Sequence, residues 1–316
     1  MNLWQEYIRP ATLSQALKAF AESRGPALPI AGGTDLMLDL AQGRHAPVHT
    51  LVDVTSIAEM IVLELREDEL FVGASVPVNR IVSDRLAGTH AQALTEACEL
   101  IAGPQVRNVA TLGGNVAHAL PAADGTIALL ALNAEAEIAG INAQAAVPTN
   151  APAAVPGGDS LAIRRIPFNE LFIGPGISSL KHGEELLVGF YIPIQKTLKV
   201  SQTFRVSSCF KRIMRPQGVA LPIINLAIWL ERADDTVKQI RIAVGPGAPT
   251  PWRATEAEKF MAGKPMNDET VNAALEAVLA QIGFRSSPRR ASANYRRHLV
   301  EGLFRDTLEA AWERSW

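Results

Sequence analysis

Cysteine is scarce in this sequence. Only Cys98 and Cys209 occur among 316 residues, and they lie far apart. Two distant cysteines argue against a disulfide framework, and an iron–sulfur cluster usually needs more thiolates than this chain has. The six histidines are scattered, without a metal-binding spacing such as H-E-x-x-H. We therefore expect no metal or cluster site in this chain, a core position for Cys98, and a structural or solvated role for His118.

An excess of charge, a long apolar run and a signal sequence are also missing. The 30 basic and 32 acidic residues leave a net charge of −2, which favours neither nucleic acid nor an anionic membrane as partner. No uninterrupted apolar stretch reaches the roughly 18 residues of a membrane-spanning helix. The N-terminal sequence MNLWQEYIRP has no basic region followed by an apolar one. We expect a globular protein of the cytoplasm.

Arginines are nevertheless concentrated near the C-terminal end. Because the chain has no wider basic excess, this group is expected to be a solvated face or a protein contact rather than a nucleic-acid site. Its members are Arg285, Arg289, Arg290, Arg296 and Arg297.

The familiar nucleotide-binding motifs are absent, but two glycine pairs stand out. Neither G-x-G-x-x-G nor G-x-x-x-x-G-K-S/T occurs, which argues against a Rossmann fold and a P-loop. The first pair, Gly32-Gly33, lies between a predicted strand and a predicted helix, and the second, Gly113-Gly114, lies in a turn of small residues. Glycine lets the backbone approach a ligand closely. Successive N–H groups at such turns can bind a phosphate or another anion.

These two glycine loops predict a ligand that is bound from two sides, and a dinucleotide fits that description. The partial positive charge at the start of the helix after the first loop favours a diphosphate there. We expect the side chain of Asp35 to turn away from the phosphates, or to meet hydroxyls or partner groups. Asn115 can donate and accept, and Asp124 can accept from a ligand hydroxyl. The alternative is that the second glycine pair only forms a sharp corner and that Asp124 only caps the following helix.

The hydrophobic pattern predicts an α+β protein. A capping box at Thr12–Gln15 begins a helix that extends to about Arg24, and the segment from Pro77 to Ile101 is predicted to be helical with a break near Gly88. Other helices are predicted at Thr34–Ala41, Ala254–Ala262, Asp268–Ile282 and Ala291–Glu313. Strands are predicted at Ala27–Ile30, Leu51–Val54, Ile61–Leu65, Leu70–Gly73, Glu185–Pro193, Thr203–Ile213, Val219–Leu230 and Gln239–Val244.

We predict two domains. The first, residues 1–198, has two lobes at about 1–55 and 56–198 that close on a ligand. It contains an Ala/Pro-rich insertion at 143–160, which lacks periodicity and is expected to be a surface loop. The second domain, residues 199–316, combines a small antiparallel sheet with helices.

The motifs around the glycine pairs resemble those of a known family. A-G-G-T-D-L and V-A-T-L-G-G-N, with A-G-P-Q-V-R-N just before the second, are similar to the medium, FAD-binding subunit of molybdenum hydroxylases. That family includes carbon monoxide dehydrogenase, xanthine dehydrogenase and 4-hydroxybenzoyl-CoA reductase, and the resemblance covers nearly the whole chain. It implies a PCMH-type, two-lobed FAD-binding domain followed by a small antiparallel-sheet-plus-helices C-terminal domain.

The resemblance also implies which residues contact FAD. Leu187 would lie against the flavin, although a core leucine would look the same. Lys211 would approach the flavin and stabilise negative charge on its reduced form, although a strand lysine is more commonly just solvated. The full set implied by the loops and the resemblance is Ile30, Ala31, Gly32, Gly33, Thr34, Asp35, Leu36, Ile101, Ala102, Thr111, Gly113, Gly114, Asn115, Ala117, Asp124, Leu187 and Lys211.

The implied function is that of an electron-transfer oxidoreductase subunit without a catalytic side chain of its own. A large partner subunit would hold molybdopterin and a small one two 2Fe–2S clusters, in a dimer of heterotrimers, with NAD, oxygen or another carrier at the flavin. One alternative is a 4-hydroxybenzoyl-CoA reductase-like β subunit without the extra 4Fe–4S cluster, since the 143–160 insertion has no cysteine. Others are a stand-alone flavin oxidase of the vanillyl-alcohol-oxidase type and a scaffold that has lost FAD.

Overall fold

A small parallel sheet with two helices forms the N-terminal part of the chain. The computed structural model describes residues 2–141, 161–194, 204–215, 221–288 and 290–315, so the predicted 143–160 insertion and Arg289 lie outside it. The elements of this part are β1 (Glu6–Ile8), α1 (Leu13–Ala21), β2 (Ala27–Ile30), α2 (Leu36–Ala41) and β3 (Thr50–Asp53). The strands pair in parallel in the order β1-β3-β2. Strand β1, which is only three residues long, was not predicted.

The predicted capping box begins α1. The hydroxyl of Thr12 accepts from the Gln15 N–H at 3.2 Å, and Gln15 Oε1 accepts from the Ala11 N–H at 2.9 Å. Two otherwise unpaired backbone donors are satisfied in this way. The helix buries the face formed by Leu13, Ala16, Leu17 and Phe20.

In the described part of the chain, a five-stranded antiparallel sheet and six helices come next. The strand order is β4-β5-β10-β6-β7. The strands are β4 (Leu63–Arg66), β5 (Glu69–Gly73), β6 (Glu135–Ile141), β7 (Leu161–Pro167) and β10 (Glu185–Pro193), and a separate hairpin contains β8 (Phe172–Gly174) and β9 (Ile177–Ser178). The helices are α3 (Val78–Ser83), α4 (Arg85–His90), α5 (Gln92–Leu100), α6 (Pro104–Arg107), α7 (Leu112–Ala117) and α8 (Asp124–Ala131).

The helical segment after Pro77 breaks elsewhere than predicted. Gly88 lies inside α4, and the breaks fall at Asp84 and Ala91. Asp84 is in an extended conformation, and its carboxylate accepts from the N–H groups of Leu86 and Ala87. A side-chain cap of this kind ends one helix and begins the next more effectively than a single internal glycine.

The C-terminal part is an antiparallel sheet covered by helices, as predicted. Its strands pair in the order β11-β12-β13-β14, and its elements are β11 (Phe204–Ile213), β12 (Ile224–Ala233), β13 (Thr236–Gly245), β14 (Trp252–Arg253), α9 (Thr255–Met261), α10 (Asp268–Gln281) and α11 (Ala293–Arg314). Successive residues of a strand face opposite sides. Cys209 and Ile228 therefore pack against the helices, while Phe210 and Trp229 join the core of the preceding part.

The core of the larger part of the chain is continuous. One cluster of buried side chains extends from α1 through the five-stranded sheet and α5 to the inner face of the C-terminal sheet. Cys98 lies within it on α5, and burial raises the pKa of its thiol, as expected of a core cysteine. Of the helices in the described ranges, none combines the length and apolarity that a membrane crossing requires. The predicted α+β fold class is correct.

Candidate functional site

The first glycine loop presents a run of unpaired backbone donors. Strand β2 ends at Ile30, whose carbonyl accepts from the Val54 N–H, and hydrogen bonding along the chain resumes where Met37 donates to Gly33. Between these points, the N–H groups of Ala31, Gly32, Gly33 and Thr34 have no acceptor among the described residues. Helix α2 begins only at Leu36 and is short. The N–H groups of the loop therefore contribute more to the local positive potential than the dipole of this helix does. Consecutive free N–H groups at a strand-to-helix turn suit an oxyanion.

Both glycines of this first loop are required by its geometry. Gly33 has φ +67°, the left-handed region that favours glycine. A β-carbon on Gly32 would lie 2.0 Å from the carbonyl oxygen of Val109. Val109 lies just before the second glycine loop, so the two loops meet, as the ligand hypothesis required.

The second glycine loop does not offer its backbone donors. Gly113 N–H donates to the Ala74 carbonyl at 2.8 Å, and Gly114 N–H donates to the Thr111 hydroxyl at 3.1 Å. The idea that both loops present amides to one diphosphate is therefore wrong for this loop, because its amides cap α7 and bond to the end of β5. A β-carbon on Gly113 would lie 2.5 Å from that of Ala74, so close packing requires this glycine.

The space beside Gly114 is open. Gly114 is exposed, and among the described residues outside its own helix backbone an added β-carbon would come close to the Thr111 hydroxyl alone, at 3.2 Å. That hydroxyl accepts from Gly114 and still has its own proton to donate. Oδ1 of Asn115 is sealed from solvent and has no partner in the described part of the chain. An unpaired buried amide oxygen is costly unless a donor reaches it, which suits a ligand. Ala117, one turn further along α7, is exposed.

The side chain of Asp124 is bonded to side chains of the C-terminal sheet. Its carboxylate pairs with Arg212 of β11 and accepts from Asn225 Nδ2 of β12 at 2.8 Å. Burial raises the pKa of Asp124, and the charge of Arg212 opposes that shift. The residue before α8 is Ala123, so the alternative role of Asp124 as a side-chain cap is not seen. Its contact with a ligand hydroxyl stays a prediction.

Sequence reasoning missed Arg212 and Asn225. They lie 88 and 101 positions from Asp124, and no local pattern links residues so distant. The one available signal was strand alternation, because Arg212 follows the predicted Lys211 and must face the other side of β11. Lys211 shares its face with Cys209, away from the face of Phe210 and Arg212 that joins the larger core. Its approach to a flavin stays a prediction.

Of the remaining predicted residues, one lies in the core and two lie partly exposed at the surface. Leu187 lies in β10 opposite Ile138, is 5% exposed and belongs to the main core, which is compatible with the core-leucine alternative. Ile101 and Ala102 are partly exposed, and their carbonyls accept from Arg107 Nη1 at 3.1 and 2.9 Å.

A histidine links the end of α7, which contains the second glycine pair, to the start of α2, which follows the first. His118, at the end of α7, lies with Nδ1 3.5 Å from the carboxylate of Asp35 and Nε2 4.0 Å from that of Asp39. The hydrogen bond that His118 donates to Asp35 raises the pKa of His118 although burial opposes it, and the same bond lowers the pKa of Asp35. The side chain of Asp35 is thus paired with His118 of the same chain, and contact with a partner group was one of the expected outcomes.

Fold and site together define an α+β protein in which a loop with unpaired backbone N–H groups rests against a second, capped loop. Comparison with known families agrees: residues 3–195 match the FAD binding domain in molybdopterin dehydrogenase, and residues 208–311 match the CO dehydrogenase flavoprotein C-terminal domain. The chain belongs to the family of FAD-binding subunits of these molybdopterin dehydrogenases, and it is a flavoprotein subunit of oxidoreductases.

Two bacterial relatives and one solved structure are similar to the chain over nearly their full length. The chain is 33% identical over 306 residues to the xanthine dehydrogenase FAD-binding subunit of Escherichia coli O157:H7, covering 96% of this chain and 95% of that protein. It is 26% identical to the carbon monoxide dehydrogenase medium chain of Hydrogenophaga pseudoflava, covering 98% and 97%. A chain of a solved structure of that dehydrogenase, in a form lacking the Mo-pyranopterin moiety, has a TM-score of 0.84 at 25% identity, covering 99% and 98%.

The residues of the two glycine loops fit FAD. A diphosphate needs several donors at one place, and Ala31 to Thr34 have four N–H groups without acceptors in the described ranges. The buried Oδ1 of Asn115 needs a donor, which ribose, ribityl and flavin groups can supply.

Proposed function

We propose that the chain binds the FAD diphosphate on the N–H groups of Ala31 to Thr34 and carries electrons between iron–sulfur clusters of a partner subunit and an external carrier. The observation that carries the proposal is this run of N–H groups without acceptors among the described residues, which rests directly on the backbone before the second loop. Family membership supports the cofactor, and the geometry supports its anchoring point.

The chain's own residues bind and position the cofactor. The first loop neutralises the diphosphate with oriented backbone dipoles, and Gly114 leaves room for the cofactor chain beside the Thr111 hydroxyl. Asn115 orients it by accepting a hydrogen bond, and the apolar core around Leu187 excludes water from one side. FAD supplies the redox chemistry by accepting and releasing electrons. Sequence and fold give no reason to assign a nucleophile or general base.

We further propose the architecture of the family for the assembly. A large subunit would hold molybdopterin and a small subunit two 2Fe–2S clusters, in a dimer of heterotrimers in the cytoplasm. Within this chain, residues 1–198 would form the two-lobed FAD-binding domain and 199–316 the C-terminal domain. The names of the relatives, which include an FAD-binding subunit and a medium chain, support a multi-subunit enzyme.

Purification of the tagged chain from its native host tests this function. Molybdenum, iron and FAD should copurify in constant ratio, and adding the substrate of the complex should bleach the iron–sulfur and flavin absorption together. A chain that purifies alone with flavin, and without either metal, would contradict the electron-transfer role while leaving FAD binding intact. A chain that never binds FAD would contradict both.

A further inference from the structure

Arginines gather where α11 begins. Arg285 and Arg290 are exposed on the segment between α10 and α11, and Arg296 lies near the first turn of α11. Nη2 of Arg215, which follows β11, donates to the Arg290 carbonyl at 3.3 Å and so brings a further arginine to the same place. The sequence predicted a solvated face or a protein contact here, but Arg296 is not solvated.

Arg296 is buried without a partner among the described residues. Only 5% of the residue is exposed, its Nε is sealed from solvent without an acceptor, and no carboxylate in the described part of the chain pairs with it. The neighbouring Arg297 shows the contrast, since it donates to the Leu279 carbonyl at 2.8 Å. A guanidinium nitrogen that is buried without an acceptor is unfavourable, because it loses hydration and gains nothing in return.

The surroundings of Arg296 make its position still less favourable. Burial is the first cause that lowers its pKa, and the positive charges of Arg290 and Arg285 follow. The start of the 22-residue helix α11 adds the positive end of a helix dipole. The two positive neighbours and the helix dipole disfavour a cation here and favour an anion at the same place.

We propose that Arg296, with Arg285 and Arg290, binds the phosphate or diphosphate group of a small molecule. A guanidinium matches phosphate oxygens with two parallel N–H donors. The recessed position of Arg296 suits a small oxyanion better than the flat surface of a protein, while the two exposed arginines can close over it. Inorganic phosphate, pyrophosphate and the phosphate end of a nucleotide share this chemistry. None of the glycine-loop residues takes part, so the site is independent of FAD anchoring.

Calorimetric titration of the FAD-loaded full chain tests the site. Pyrophosphate, inorganic phosphate and ADP are titrated separately in a chloride buffer of constant ionic strength. We expect pyrophosphate to bind, and Arg296→Gln to weaken its binding by at least about tenfold, the effect of losing a charge-assisted hydrogen-bond pair. Arg285→Gln and Arg290→Gln should weaken it less, and the control Arg305→Gln, an exposed position of the same helix that contacts Asn272, should not change it.

The three titrations and the variants distinguish between possible ligands and between a ligand site and a protein contact. Tighter binding of ADP than of pyrophosphate indicates a nucleotide, and equal binding indicates that the phosphate group alone is recognised. Equal affinity in the Arg296 and Arg305 variants, or no binding of any phosphate compound, overturns the proposal. Loss of partner subunits from the arginine variants without any phosphate binding would assign the cluster to a protein contact and overturn it as well.

Stability supplies a second readout. In phosphate-free buffer, Arg296→Gln should unfold at the same urea concentration as Arg305→Gln or at a higher one, because it removes an uncompensated charge. A large loss of stability with unchanged pyrophosphate binding would identify a purely structural arginine and overturn the proposal. If Arg296→Gln does not fold, unchanged pyrophosphate affinity in both Arg285→Gln and Arg290→Gln overturns the proposal instead.

Discussion

The two glycine pairs are alike in sequence and differ in what they do. Gly33 adopts a left-handed conformation in a loop whose N–H groups have no acceptor among the described residues, whereas Gly113 packs against Ala74 with its N–H group bonded. The sequence could predict that both loops need glycine. It could not distinguish the two roles, because the acceptor for Gly113 comes from the end of β5, distant in the chain and adjacent only in the fold.

Replacing Gly33 tests the role of the first loop. Gly33→Ala and Gly43→Ala both place a side chain at positive φ, +67° and +69°, and nothing lies near Gly43 in the described part of the chain. Each substitution should cost about 1 kcal/mol of stability. Only Gly33→Ala should weaken FAD binding, by at least about tenfold, because it reshapes the N–H cradle. Fluorescence titration with FAD measures this, and equal affinity in the two variants would refute it.

Both cysteines should be inert in the folded protein. The thiolate is the reactive form. Burial raises the pKa of the Cys98 thiol far above neutral pH and that of Cys209 to about 12. A chromogenic disulfide reagent should therefore modify neither thiol until urea unfolds the chain. Modification of the native protein at the rate of the urea-unfolded control would show that one of them is exposed.

At the scale of elements, local signals predicted the outer bounds of helices better than the breaks between them. The Thr12 cap could be predicted from the sequence because its hydrogen-bond partners lie within four residues of each other. The breaks at Asp84 and Ala91 were missed because glycine was given more weight than an aspartate able to cap. Strand β1 was missed because three residues carry too little pattern.

The contact between α2 and α7 should depend on pH. The raised pKa of His118 gives stability that is complete below its ordinary value of 6.5 and is lost as pH rises through the raised value. The lowered pKa of Asp35 gives stability that is present above 3.8 and is lost as pH falls through the lowered value. The contact therefore contributes most between these limits.

Urea unfolding across pH checks this contact. His118→Gln should lose about 0.5 kcal/mol at about pH 6, a small value because Asp35 is largely exposed, and nothing at about pH 9. His298→Gln serves as the control, because His298 pairs with Glu301 on the exposed side of α11. A loss that stays constant across pH would show that His118 acts by packing rather than by charge.

At the scale of the whole molecule, a buried polar cluster joins the FAD-binding part to the C-terminal sheet. Asp124 on α8 pairs with Arg212, and Asn225 donates to both Asp124 and the Ala122 carbonyl. The sequence predicted most of the strands on both sides of this cluster. It could not predict how they dock, because docking rests on side chains about a hundred positions apart.

A double-mutant cycle measures this junction. Asp124→Ala should cost about 3–5 kcal/mol in the FAD-free protein, because it leaves Arg212 buried and unpaired. Asp124→Ala combined with Arg212→Met should cost less than the sum of the single changes. The exposed pair Lys259 and Glu256 provides a control that should show little coupling, because solvent screens it. Strict additivity at Asp124 and Arg212 would show that the pair contributes nothing to docking.

The most direct test of the whole account is a crystal structure of the FAD-loaded chain. We predict that diphosphate oxygens lie within hydrogen-bond distance of the N–H groups of Ala31 to Thr34, while Gly113 still donates to Ala74. Diphosphate oxygens bound elsewhere, with the N–H groups of the first loop facing solvent or protein carbonyls, would contradict it.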